Sequence, residues 1–176
     1  MTLTEQQEFL KKLIAHRDII FEEYQSAKRR AQPLPDWAEG TLVPNWKGVA
    51  LWWDYKPWPF TQRKMPTTTE LIREGPTHRA SGLLILDPQS KTPKHNHLDW
   101  GNKIILHLPI TVPEGDTGFW VDGKIHHWKE GKLFAFDVRK DHYGYNNTDH
   151  ERALFVLDFD AEEWGEALSP YMSLED

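Results

Sequence analysis

His97 and Asp99 stand two residues apart. If Asn96–Asp99 is extended, both side chains leave the same face, about 6.5–7 Å apart along the chain. They can then converge on one ion with bonds near ~2.0–2.2 Å. A histidine and a carboxylate make two thirds of a facial triad, and a second histidine completes it. Such a triad leaves adjacent positions on iron open for a cosubstrate and oxygen. His142, 45 residues further on, is the expected third ligand. Ten residues beyond it Arg152 opens an apolar strand, Ala153–Phe159. Strand alternation puts Arg152 on one face with Leu154 and Val156, and Ala153, Phe155 and Leu157 on the other. An arginine aimed into a protein interior needs an anion, because an unpaired buried charge is costly. A dicarboxylate would supply one through a bidentate pair.

Each residue also has an ordinary reading. Asp99 reads as a turn residue before Gly101, Arg152 as a surface partner of Glu151 or Asp149, and His107 as a satisfied core histidine. His95 with His97 makes a His-x-His pair as in cupins, and His142 with Asn146 echoes a cupin's second motif. The glutamate expected after such a pair is missing. His126 and His127 fall in a hairpin strand, and His16, His78 and His150 have no partner in sequence. Trp100, directly after Asp99, is a candidate for lining a substrate opening. Arg139, Lys140 and Tyr145, which flank His142, are candidates for recognising a polar substrate.

These residues need a scaffold. Leu10, Leu13, Ile14, Phe21 and Tyr24 recur at helical spacings, which predicts a helix from about Thr4 to Arg30, broken near His16–Asp18 and ended by Pro33 and Pro35. All 12 prolines, all 11 glycines and all nine tryptophans lie beyond Ala31, so the character of the chain changes there. Predicted strands are Val49–Tyr55, Gly82–Asp87, Lys103–Val112, Thr117–Val121, Lys124–Trp128, Leu133–Val138 and Ala153–Asp158, separated by turn signals such as Asp122-Gly123. Thr67–Glu74 is a short helix stopped by Gly75-Pro76. Many short strands without intervening helices predict a mostly β fold, a jelly roll with N-terminal helices packed on it. One domain over residues 1–176 is expected, with a helical element over 1–32 and a jelly-roll core over 47–162.

The C-terminal half resembles the aspartyl/asparaginyl β-hydroxylase family, iron(II)- and 2-oxoglutarate-dependent oxygenases on a double-stranded β-helix. The resemblance rests on Asn102 to Pro113, with its His107-Leu108-Pro109. It rests also on Trp128-Lys129-Glu130-Gly131-Lys132, Phe136-Asp137, His142 and Arg152. It implies that His97 and His142 bind iron, that His107 contacts the cosubstrate and that Arg152 binds it. This chain departs from the family at two places. Asp99 stands where many members have glycine, and Ile105 where the family has an arginine two residues before the cosubstrate-contacting histidine. Lys103 is the candidate replacement for that arginine.

Composition narrows the function classes. Zero cysteines exclude a disulfide scaffold, a thiolate nucleophile and cysteine-ligated metals. Lys plus Arg total 21 against 27 Asp plus Glu, for a net charge of −6, and no long basic block marks a nucleic-acid partner. No apolar run approaches the ~18 residues of a membrane span, and the polar, acidic N-terminus is not a signal peptide. The expectation is a cytoplasmic monomer or homodimer that hydroxylates an unactivated C–H bond of a small polar substrate, an amino acid or related metabolite. It would use Fe(II), O2 and 2-oxoglutarate and release succinate and CO2. A short peptide is the second choice of substrate. A cupin-type metal enzyme without 2-oxoglutarate and a non-catalytic jelly-roll module are the alternatives.

Overall fold

The computed structural model describes residues 1–36 and 39–172. Two helices open the chain, α1 (Leu3–Ala15) and α2 (Arg17–Ala27), followed by a 3-10 turn at Lys28–Arg30. Thr2 caps α1 through a capping box with Glu5. The break between the helices falls at His16, whose ring Nδ1 bonds the Lys12 carbonyl at 2.7 Å. Phe9, Leu10, Leu13, Ile20 and Tyr24 form the buried stripe, each contributing about 1.5–3 kcal/mol of burial.

The strands that follow are β1 (Gln32–Asp36), β2 (Thr41–Trp53), β3 (Lys56–Pro57), β4 (Ser81–Leu86), β5 (Ser90–Lys91), β6 (Lys103–Thr111), β7 (Thr117–Val121), β8 (Lys124–His126), β9 (Phe134–Asp137), β10 (His142–Asn146) and β11 (Arg152–Asp160). Three further helices are α3 (Pro59–Gln62), α4 (Pro66–Arg73) and α5 (Ala161–Leu168). The larger sheet runs β1-β2-β4-β11-β6-β9 with β3 paired to β2, and the smaller runs β5-β10-β7-β8. All strand pairs are antiparallel. Two antiparallel sheets facing each other, with helices at the N-terminus, make this a mostly β jelly roll.

The larger sheet has two differently employed faces. Ala153, Phe155, Leu157 and Phe159 of β11, with Ile104, Leu106, Leu108 and Ile110 of β6, pack in the core shared with α1, α2 and Trp164 of α5. The alternate residues of the same strands turn inward. There Leu154 joins Phe119, Trp128, Phe134 and Phe136 in a second cluster between the sheets. Period-two alternation therefore sends Arg152, Leu154, Val156 and Asp158 toward the interior cavity that all four line.

One backbone position is demanding. Gly82 on β4 has φ 152°, and a Cβ there would sit 2.0 Å from the Val49 carbonyl oxygen of β2. Val49 lies in the central strands, so neither backbone can yield cheaply. Gly82→Ala is expected to destabilise the fold by about 2–4 kcal/mol, readable as a lower urea midpoint. A midpoint within error of the parent would show that the two strands can separate locally.

Candidate functional site

The site is built where β10 meets the segment before β6. His95 and His142 form an isolated antiparallel bridge, N to O at 3.0 and 2.9 Å in the two directions. The His97 N–H donates to the Val138 carbonyl at 2.8 Å. These backbone bonds bring three rings together, with centroids 4.4 Å apart for His95–His142, 5.0 Å for His95–His97 and 5.5 Å for His97–His142. One nitrogen from each lies within 4.8 Å of the others, so the three form a group able to hold a metal.

Their protonation follows from their partners. The Nδ1 atoms of His95 and His142 each lie 2.7 Å from a backbone carbonyl, of Pro93 and of Lys140. A carbonyl only accepts, so both Nδ1 atoms carry the proton and both Nε2 atoms keep a lone pair. Such a second bond fixes ring orientation in metal-binding histidines. Burial holds all three rings neutral. It pushes His97 and His142 down to about 3, and the closeness of the His95 ring, which disfavours a second charge in the group, adds to both shifts. His95 is lowered for the same first reason.

Asp99 is not in this group. Asn96–Asp99 is not extended: a 3-10 turn spans Leu98–Trp100, and Asp99 is exposed. Period-two convergence of His97 and Asp99 is therefore lost, and the ring beside His97 is that of His95. Gly101, with φ 77°, ends the turn, which is the turn-residue reading of Asp99. Asn146 is fully buried and is consumed by the carbonyls of Leu86, Asp87 and His150.

The cavity holding the histidines is about 110 Å³ and is walled by Thr92, Ile105, His107, Phe119, Phe136, Gly144 and the inward residues of β11. Leu34, Trp46, Trp53 and Trp100 add an apolar side. Trp100 thus lines the opening with Trp53, ring centroids 6.0 Å apart. Arg152 is 2% exposed, and its guanidinium lies 4.6 Å from the Trp128 ring centroid. Its Nη2 reaches only the Leu84 carbonyl, at 3.5 Å, and its Nε has no hydrogen-bond partner. No acidic residue pairs with it among the described residues. Burial pulls it down to about 9, so at neutral pH it still carries its charge. Gly144 makes room for it, since a Cβ there would stand 3.2 Å from Arg152 Nη1.

His107 completes this end. Trp128 Nε1–H donates to its Nδ1 at 3.2 Å. Burial first, and then the Arg152 charge, hold the ring well below the usual histidine range. A neutral ring that accepts at Nδ1 carries its proton on Nε2. A charged guanidinium and a neutral N–H donor therefore both line the cavity, each against Trp128, which is carboxylate-receptor chemistry.

The remaining sequence candidates lie elsewhere. Lys103 stands 3.4 Å from Asp158, four residues and about 13 Å of strand from His107. Arg139 is exposed and grips Asp137 with a fork of bonds. Tyr145 alternates away from His142 and Gly144, onto the outer face of the smaller sheet with Tyr143. Sequence reasoning passed over Trp46, Trp53, Thr92 and Asp158. For Asp158 the signal was available, two alternations beyond Leu154.

Among the described residues no helix is long and apolar enough to cross a membrane. The fold is similar to solved cupins at low identity. A cupin barrel protein from Salinispora arenicola matches at 17% identity, covering 79% of this chain and 95% of its own, with TM-score 0.45. A predicted oxalate decarboxylase from Thermotoga maritima matches at 14%, covering 73% and 90%, with TM-score 0.47. In sequence, the chain is 30% identical over 96 residues to the ornithine lipid ester-linked acyl 2-hydroxylase of Rhizobium tropici. That match covers 53% of this chain and 34% of the relative, so the chain spans about a third of that protein's length. The family match runs from residue 10 to residue 162, through the helices, both sheets, the histidine group and Arg152, and the chain belongs to the aspartyl/asparaginyl β-hydroxylase family.

Proposed function

We propose that the chain is an iron(II)- and 2-oxoglutarate-dependent hydroxylase acting on an unactivated C–H bond of a small molecule, in keeping with its membership of a hydroxylase family. The observation that carries the cosubstrate is Arg152: a charged side chain, 2% exposed, lining the same cavity as the His107 donor and without an acidic partner among the described residues. A buried arginine in that condition costs stability until an anion pairs with it. The far carboxylate of 2-oxoglutarate fits that need.

The donor set fits a first-row divalent ion. Three neutral imidazoles, two with Nδ1–H locked onto carbonyls, leave their lone pairs inside the group. In this proposal His95, His97 and His142 hold the iron, and Asp99 does not. Iron with 2-oxoglutarate and O2 supplies the oxidising power, with succinate and CO2 as co-products. The chain's own residues do the rest. Arg152 and the Nε2–H of His107 fix the cosubstrate's outer end, while Phe119, Phe136, Leu154 and Val156 keep water from the reacting carbon.

Anaerobic titration of the metal-free protein with iron(II) and 2-oxoglutarate tests this directly. A saturable visible charge-transfer band that needs both additions is expected. Iron binding indifferent to 2-oxoglutarate would favour a cupin-type metal enzyme, the reading that the His-x-His pair supports. Ligand assignment is read separately, by competition with a chromogenic chelator. His95→Ala is expected to weaken iron binding at least about a hundredfold, and Asp99→Ala less than about threefold. The reverse ranking would return the carboxylate to the metal.

A further inference from the structure

Thr92 holds Gly144 by both of its backbone groups. The Thr92 N–H donates to the Gly144 carbonyl at 2.9 Å, and the Gly144 N–H donates to Thr92 Oγ1 at 2.9 Å. A side-chain hydroxyl thus stands where an antiparallel ladder would offer a backbone carbonyl. The register changes at this point. Ser90 and Lys91 pair with Asn146 and Tyr145, which sets Thr92 opposite Gly144. His95 is bridged to His142, three positions on against two, so the segment carries one residue more than β10. An extra residue of this kind re-aims the side chains around it. Thr92 is buried and lines the cavity. A hydroxyl has two lone pairs and one hydrogen. Gly144 uses a lone pair, and the hydrogen has no acceptor among the described residues. Gly144 also packs against Arg152, whose Nη1 would lie 3.2 Å from a Cβ at that glycine. The cavity wall therefore offers an unused hydroxyl donor one strand spacing, about 4.8 Å, from the glycine that the guanidinium packs on.

We infer that Thr92 is a further cosubstrate-binding residue, its hydroxyl donating to the same far carboxylate that pairs with Arg152. This inference rests on the 2-oxoglutarate reading and adds to it a residue and a selectivity. A carboxylate accepts at about four sites. The guanidinium fork takes two and the Nε2–H of His107 a third, which leaves one for the hydroxyl. One lone pair of Thr92 Oγ1 is already tied to β10, so the hydroxyl is held in place and its hydrogen favours a group that only accepts. A keto acid that ends in a methyl group gives that hydrogen nothing to bond.

Binding without turnover tests this, by anaerobic titration of the iron-loaded protein with 2-oxoglutarate and with 2-oxopentanoate, which keeps the keto acid but ends in a methyl group. Thr92→Val keeps the shape of the side chain and removes the hydroxyl. It should weaken 2-oxoglutarate about tenfold or more, the worth of one hydrogen bond to a charged group. It should leave 2-oxopentanoate within about threefold of the parent. Thr92→Ser restores the donor and should bind both keto acids within about threefold of the parent. If the valine variant fails to fold without its bond to Gly144, Thr92→Cys serves, because a thiol is a weak donor and should show the same selective loss. Two results would overturn the inference. One is a hydroxyl-free variant that binds 2-oxoglutarate like the parent. The other is an equal loss of both keto acids, which would make Thr92 only a brace for Gly144. A parent protein that binds iron but not 2-oxoglutarate would remove the oxygenase reading itself, and this role for Thr92 with it.

Discussion

Replacing Arg152 by methionine is expected to weaken 2-oxoglutarate binding at least about a hundredfold, leave iron affinity within about threefold, and raise the melting temperature of the ligand-free protein. The opposite signs come from one fact. With no anion present, the guanidinium is a desolvated charge whose polar contacts among the described residues are a long bond to Leu84 and the face of Trp128. Exchanging such a charge for a well-packed apolar side chain is worth about 1–4 kcal/mol, or several degrees in a chain this size. Saturating 2-oxoglutarate should reverse the order. At a hundred times its Kd it stabilises the parent by about 2.7 kcal/mol and the variant hardly at all. Paired melting curves with and without 2-oxoglutarate read both halves. A variant that melts lower in both conditions would mean that Arg152 is a packing residue whose loss opens a cavity.

A steep loss of stability just below neutral pH is the second large expectation. His78, His95, His97, His107 and His142 are all buried and all held below the ordinary histidine range, burial being the first cause for each. The folded state keeps them neutral while the unfolded chain takes up protons near pH 6.5. Stability from these groups is therefore complete above that pH. It drains as pH falls from about 6.5 toward 3, where His97 and His142 titrate in the fold. His97 and His142 each cost about 1.4 kcal/mol per pH unit in that window. His97 and His142 alone remove about 3 kcal/mol by pH 5.5, His78, His95 and His107 add in the same direction, and the sum is a large share of the ~5–15 kcal/mol that holds an ordinary fold together. The melting temperature of the metal-free protein should drop by about 10 °C or more between pH 7.5 and 5.5. A curve flat to pH 5 would mean that the rings charge freely in the fold.

The mostly β architecture and the broken helix were legible because periodicity is strong there. Lys103–Thr111, Thr117–Val121 and Arg152–Asp160 are strands at or within two residues of the predicted bounds, and the helix breaks at His16 as its pattern suggested. Four strands escaped, two of them only two residues long, Lys56–Pro57 and Ser90–Lys91. Gln32–Asp36 carries two prolines that mask it, and pairs at the sheet's edge, where lost donors are tolerated. His142–Asn146 alternates aromatic and small residues with no apolar run, so it did not read as a strand. Helix Ala161–Leu168 was missed because one turn-and-a-half of apolar spacing, Trp164, Ala167 and Leu168, is too short a signal alone. In the site, Arg152 could be read from alternation along its own strand. His95 could not be preferred over Asp99, because the difference depends on whether four residues extend or coil. The backbone exchange between His95 and His142, a contact across 47 positions, joins the group and leaves Asp99 in the turn outside it.

The two sheets hold different halves of the chemistry. His142, with His95 bridged to it, belongs to the smaller sheet, while His107 and Arg152 belong to the larger. In the proposed reaction the cosubstrate touches both, so it acts as a strut across the gap that Phe119, Phe134, Phe136 and Leu154 fill from either side. Loading then becomes a mechanical event as well as a chemical one. Bound together, iron on the histidines and 2-oxoglutarate on Arg152 would both oppose separation of the two sheets, so each would deepen the other's hold. The slowest amide exchange in the loaded protein should accordingly move to the seam that joins His142 and Gly144 to Val121 and Phe119.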